Sequence, residues 1–332
     1  SAVFIGVPQM FPHVICKQVI LSITYGNTAA SAFAYTALGA ILCRLFDDVE
    51  KGYRFSRLAV SLIEKLNAVE AEARVYHAMS GYINHYKEPI QLTMTQAMKG
   101  YNAAMETGDF EFAGYNAYTY NKHALLSGRS LSATEKEMNL FSEAIRQFKQ
   151  ETPFRYNAIF HQTALNLMGR CENPVMLTGE AYDERAMLKI HEEANDRLAI
   201  IYFRFCKLML CTFFHCPQKG IEHADLLHLE MVHFPGGPMA YSCFYYFDSL
   251  VRLALLRLGS DSSSDDLKRI MRNQKKLKYW GDQAPANYAQ KYHLVEAELA
   301  GVQGRNDQAI EHYDKAIQMA RTNTFVNDEA LA

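Results

Sequence analysis

The chain reads as all-helical, stacked from antiparallel helix pairs, and three observations predict this. First, apolar residues recur at i, i+3 and i+4 almost throughout, while the period-two alternation of strands is scarce. Second, the stretch 291–320 places Ala297, Gly304, Ala309, Tyr313 and Ala316 at the spacing of a tetratricopeptide unit. Third, parts of that spacing return upstream. Ala97, Tyr101 and Ala104 repeat the offsets of Ala309, Tyr313 and Ala316, and Gly52 and Ala59 repeat the step from Ala309 to Ala316. Small residues at Ala297 and Ala309 let two helices approach closely, Gly304 makes the turn, and Tyr313 and Ala316 pack back onto the first helix. One such pair cannot bury its own apolar face, so neighbours must stack on it. The expectation is a single tetratricopeptide-like right-handed superhelix, an α-solenoid over 1–332, subdivided if anywhere near 169–182.

Each element follows from local chemistry. Gly26-Asn27 is a turn between two helices. The helix 28–45 is rich in Ala and Gly for close packing, and Asp47-Asp48 opens the next, to about residue 66, with the acidic charge a helix N-terminus favours. Helices 68–86 and 89–105 come next, with Pro89 in the first turn of the latter. Gly108-Asp109 leads into the pair 110–126 and 132–149, in which Ser132 reads as the cap and Glu135 as its capping-box partner. Pro153 opens 154–167. Regularity lapses over 169–178, around Asn173-Pro174. Helices resume from about residue 183 and run through 195–214, 217–228, 239–258 and 263–280. The rigid turn Phe234-Pro235-Gly236-Gly237-Pro238 and the polar linker 259–265 interrupt them. The residues 327–332 read as the cap and first turn of a further helix, so the natural polypeptide is expected to continue past Ala332. With neither initiator Met nor signal-peptide pattern at its start, the chain reads as a piece of a longer one.

Composition narrows the function. Thirty-four basic against thirty-six acidic residues give a net charge of -2, which disfavours nucleic acid and anionic membrane surfaces as partners. Seven scattered cysteines without framework spacing read as reduced thiols in a cytoplasmic protein. The uncharged stretch 18–43 is broken by polar residues and a turn, and 198–216 holds Arg204 and Lys207, so no membrane insertion is expected.

The residues closest to a metal cluster are Cys206, Cys211, His215, Cys216, His223, His228 and His233. Structural zinc needs four ligands converging on one point, usually from paired short spacings. Cys211 and His215, four apart, share a helix face, whereas His223 and His228, five apart, align poorly. Buried thiols and half-exposed histidines are therefore expected, with no metal or cofactor assigned. Were a site present, Cys211, His215, Cys216 and His223 would be its candidates. Cys206 or Cys216 as a nucleophile would need a base that no spacing supplies. Phosphate-loop, H-E-x-x-H, G-x-S-x-G and kinase signatures are missing, so no catalytic residue is assigned and this chain is read as a non-enzyme. Twenty Tyr and nineteen Phe serve mostly as packing between repeats. The basic run Lys268, Arg269, Arg272, Lys275, Lys276 and Lys278 is a solvated helix face or a docking surface for an acidic partner.

Several segments in order along the chain resemble one family. They include Tyr25-Gly26-Asn27-Thr28, Glu106-Thr107-Gly108-Asp109, Ser142-Glu143-Ala144-Ile145-Arg146-Gln147, Gly179-Glu180-Ala181-Tyr182-Asp183-Glu184, Ala194-Asn195-Asp196-Arg197, Phe247-Asp248-Ser249-Leu250, Asn273-Gln274-Lys275-Lys276, Val295-Glu296-Ala297-Glu298 and Tyr313-Asp314-Lys315-Ala316-Ile317. This order is similar to the helical-repeat middle region of large signalling proteins that combine a serine/threonine-kinase-like domain, a P-loop ATPase, a GAF domain and a histidine kinase. The resemblance implies a regulatory solenoid between an NTPase or kinase-like input and a histidine kinase output, with a kinase and an ATPase in the parent protein. It carries over no active-site residue, and the Cys and His content near 215–233 departs from it. The expected partners are protein or peptide, including other domains of the same polypeptide, and self-association is left open. A sensor holding a small molecule or metal at residues 206–233 is the alternative.

Overall fold

This computed structural model describes residues 7–232, 234, 237–259 and 264–332. His233, Pro235, Gly236 and the linker residues 260–263, which figured in the sequence reading, lie outside them. Sixteen α-helices account for most of the described chain. They are α1 (Phe11–Tyr25), α2 (Ala29–Leu45), α3 (Val49–Leu66), α4 (Val69–Tyr82), α5 (Ile90–Thr107), α6 (Phe110–Leu126), α7 (Leu131–Gln147), α8 (Glu151–Leu167), α9 (Glu184–Glu193), α10 (Arg197–Phe213), α11 (Pro217–Val232), α12 (Met239–Arg257), α13 (Ser264–Gln283), α14 (Pro285–Val302), α15 (Asn306–Thr322) and α16 (Val326–Leu331). Among the described residues, extended pairing is confined to one bridge between Thr178 and Asp183. The protein is an all-α helical-repeat solenoid.

Capping explains most boundaries. Asp48, Asp109, Asp183 and Asp196 each accept a hydrogen bond from a backbone N–H in the first turn of the helix that follows, at 3.0 to 3.3 Å. Gly108 and Gly304 leave their helices at φ +74° and +72°, which glycine adopts without strain. Two expectations fail for tertiary reasons. Ser132 does not cap α7, which begins at Leu131 with Ser130 in the N-cap position. Glu135 is drawn instead towards Arg170, 3.3 Å away, and His161. The helix expected over 68–86 ends at Tyr82 and continues as a 3-10 turn, Asn84–Tyr86. There Asn84 is buried, accepting from Ser56 and donating to Gln96, and these contacts outweigh helical propensity.

The helices form two layers. α2, α4, α6, α8, α10, α12 and α14 are the inner layer, each packed on the next, while α3, α5, α7, α11, α13 and α15 cover them. Inner helices are buried nearly all round, as α6 is from Phe112 to Leu126. Outer helices keep one apolar stripe, as α3 does with Val49, Gly52, Ala59, Leu62 and Ile63. Two apolar clusters result: a small one within α1–α4, and a large one reaching from Ala40 and Tyr82 to Trp280, Tyr288 and Phe325. The large cluster joins the first repeats to the last. Tyr86 stacks on Tyr288 with ring centroids 6.2 Å apart and lies 5.8 Å from Trp280. The superhelix therefore curls until its ends meet.

Candidate functional site

Most of the residues expected to pack the repeats are removed from solvent. Ala59, Ala97, Ala104, Ala297, Ala309 and Ala316 are buried, Tyr101 and Tyr313 half-buried. Gly52 crosses Gly39 so closely that a Cβ at Gly52 would stand 2.7 Å from the Gly39 carbonyl oxygen.

The cysteine and histidine candidates are dispersed. Cys206 and Cys211 are buried on α10, where burial raises their thiols to about 12 and about 11, leaving them protonated and unreactive at neutral pH. The Cys216 thiol donates to the Phe214 carbonyl at 3.3 Å. His215 sits at φ +51° in the turn before α11. His223 meets Phe203 edge-on, and burial lowers it to about 4. Among the described residues, no three His, Cys, Asp or Glu side chains converge as a metal site. Cys211 and His215 do line one cleft of about 350 Å³ with Leu250, Val251, Leu294 and Leu331.

The most unusual chemistry lies where the ends of the solenoid meet, and no local motif announces it. Asn287, in the first turn of α14, donates to the carbonyls of His85 at 2.7 Å and Glu88 at 2.8 Å. It also accepts from the Ile90 backbone N–H at 3.0 Å. One side chain thus satisfies three backbone groups of the α4–α5 corner, some 200 positions earlier in the chain. Around it, Lys87 donates to Gln283 at 2.8 Å, Lys276 pairs with Asp47, and the Tyr279 hydroxyl donates to the Asp47 carbonyl at 2.6 Å. Arg44 donates to the Met231 carbonyl and lies over the Tyr241 ring, 4.0 Å from its centroid.

His85 completes this seam. Its Nε2 lies 3.3 Å from the Gly237 carbonyl oxygen, which can only accept, so Nε2 carries the proton and Nδ1 accepts from the Tyr288 hydroxyl at 2.6 Å. Burial lowers His85 to about 3, which keeps the ring neutral. A side chain at Gly237 would stand 3.1 Å from Arg44 and 3.3 Å from the Tyr86 hydroxyl, so glycine permits this approach. Gly237 is thereby part of the closure.

Behind the seam lies Lys122, wholly buried on α6. Its Nζ is 3.4 Å from the Tyr202 hydroxyl and just over 5 Å from the Tyr118 and Tyr202 ring centroids. Among the described residues no carboxylate pairs with it. Desolvation lowers it from 10.5 to about 7. His77 and His123 share this interior, both lowered chiefly by burial and further by the lysine. His123 Nδ1 bonds Thr93 at 2.8 Å, while its Nε2 has no partner among the described residues. The cluster is sealed from substrates, since Lys122 exposes no surface.

No helix among the described residues is long and apolar enough to cross a membrane. No protein-family model matches the chain, and no curated protein matches it.

Proposed function

We propose that this chain is a non-catalytic regulatory solenoid that binds protein and couples an NTPase or kinase-like input to a histidine kinase output in the cytoplasm. The observation that carries the reading is the polar seam. On this reading the seam, held through Asn287 and His85 as well as by apolar packing, is the element whose closed and opened arrangements a partner would bias. A partner that prefers one arrangement changes the geometry at both ends of the chain, which is the coupling a regulatory segment needs. The test opens the seam with Asn287→Ala and measures phosphorylation of the histidine kinase output with this region in place. Phosphorylation should change several-fold. An unchanged rate, with scattering showing that the seam has opened, refutes the reading.

A small-molecule sensor is the second reading, favoured by the cleft that Cys211 and His215 line. Its walls are mostly aliphatic, so the matching ligand is apolar and compact. Replacing Leu258, which lines that cleft and is 64% exposed, with Trp should abolish a sensor response without disturbing the seam.

A further inference from the structure

We propose that the outer face of α13 docks an acidic amphipathic helix of a protein partner, an inference that builds on the protein-binding reading above. The basic run of α13 is not one solvated face. Lys268, Arg269, Lys276 and Lys278 each pair with an aspartate. Arg272 and Lys275 are exposed and, among the described residues, pair with no carboxylate. Their charge is therefore available to a partner.

Two clefts flank this ridge, and Lys275 lines both. The one between α13 and α14, of about 460 Å³, is lined by the apolar side chains of Leu267, Met271, Tyr292 and Leu299 and by the cations Lys278 and Arg305, with one carboxylate, Glu296, engaged by Gln274 at 2.7 Å. The other, of about 480 Å³, lies against the α2–α3 corner and is lined by Arg272, Lys276, Tyr279 and Asp47. Met271 is 59% exposed, a large apolar side chain amid cations. Met271, Lys275 and Lys278 stand at i, i+4 and i+7 and so share one helix face. A helix laid along them matches apolar side chains to the apolar lining and carboxylates to the ridge at the same periodicity. Nucleic acid would satisfy the cations and leave the apolar lining uncovered, so an acidic peptide is the better fit. Because the second cleft includes Asp47 and Lys276, an occupant competes with a contact of the seam.

Fluorescence anisotropy with a labelled peptide, glutamates along one helical face and leucines along the other, tests this on the whole chain. Lys275→Glu should weaken binding at least about ten-fold, and Met271→Ser several-fold. Lys99→Glu, on the exposed face of α5, should leave it unchanged. A peptide with lysines in place of the glutamates should not bind. Binding indifferent to Lys275→Glu, or a single-stranded oligonucleotide that binds more tightly than the acidic peptide, overturns the proposal. If no peptide binds while Asn287→Ala still alters the output, this face is refuted and the coupling stands. If the peptide binds at α13 while the output ignores Asn287→Ala, the face holds without the coupling.

Discussion

An amine buried without a carboxylate must either shed its proton or weaken the fold, and Lys122 shows which. Its folded value of about 7 lies well below the unfolded value of about 10.4, so between the two the unfolded chain binds more protons. The contribution of Lys122 to stability therefore rises as pH climbs from about 7 towards 10, against the opposite slope that the buried thiols of Cys43, Cys206, Cys211 and Cys243 impose from about pH 9, and the burden of this one residue near neutral pH is on the order of 4 kcal/mol. Lys122→Met, close in shape and without charge, should raise the melting temperature at pH 7 by a margin over wild type that shrinks as pH rises towards 10. A difference in melting temperature between Lys122→Met and wild type that stays constant from pH 7 to 9.5 contradicts this. The histidines act at lower pH. His77 and His85 are held at about 3 against about 6.5 unfolded, so their neutral forms stabilise the protein above 6.5, and that stability is lost as pH falls towards 3. A pH series of urea midpoints should fall steeply below 6.5. None of this was legible in the sequence. Lys122 stands between Asn121 and His123 in an aromatic helix, and nothing in that order distinguishes a buried lysine from a surface one.

At the scale of the helix, spacing was informative where packing is local. The Ala297 to Ala316 repeat is α14 against α15, and Gly52 marks a true close crossing, because small residues and turns act within one hairpin. Gly52→Ala should therefore destabilise by roughly 1–3 kcal/mol in chemical denaturation, since the Gly39 backbone it meets cannot step aside. Caps set by distant partners were misread, as at Ser132 and Tyr82. The short α16 depends on chemistry of another kind. Asp328 pairs with Lys291 of α14 deep in the core, with Gln290 also donating to it at 3.2 Å. Asp328→Ala leaves that lysine buried and unpaired and should cost about 3–5 kcal/mol, whereas Asp328→Leu combined with Lys291→Met should recover most of the loss. Equal losses in the single and double variants would mean that packing, not charge, holds α16.

Over the whole molecule, the solenoid class was readable from periodicity, and the meeting of its ends was not. Contacts such as His85 with Tyr288 join residues separated by 203 positions and leave no repeat, motif or composition bias behind. The same holds for the paired and unpaired cations of α13, whose roles depend on aspartates from other helices. Asn287→Ala strands two carbonyls and one amide in the seam and should expand the radius of gyration in small-angle scattering while far-ultraviolet dichroism stays unchanged. The most direct measurement is zero-length carbodiimide cross-linking of the dilute monomer, followed by peptide mapping. A closed solenoid predicts a bond between Lys276 and Asp47, 229 positions apart. Cross-links confined to near neighbours such as Lys51 and Asp48 would contradict the closure on which the regulatory reading stands.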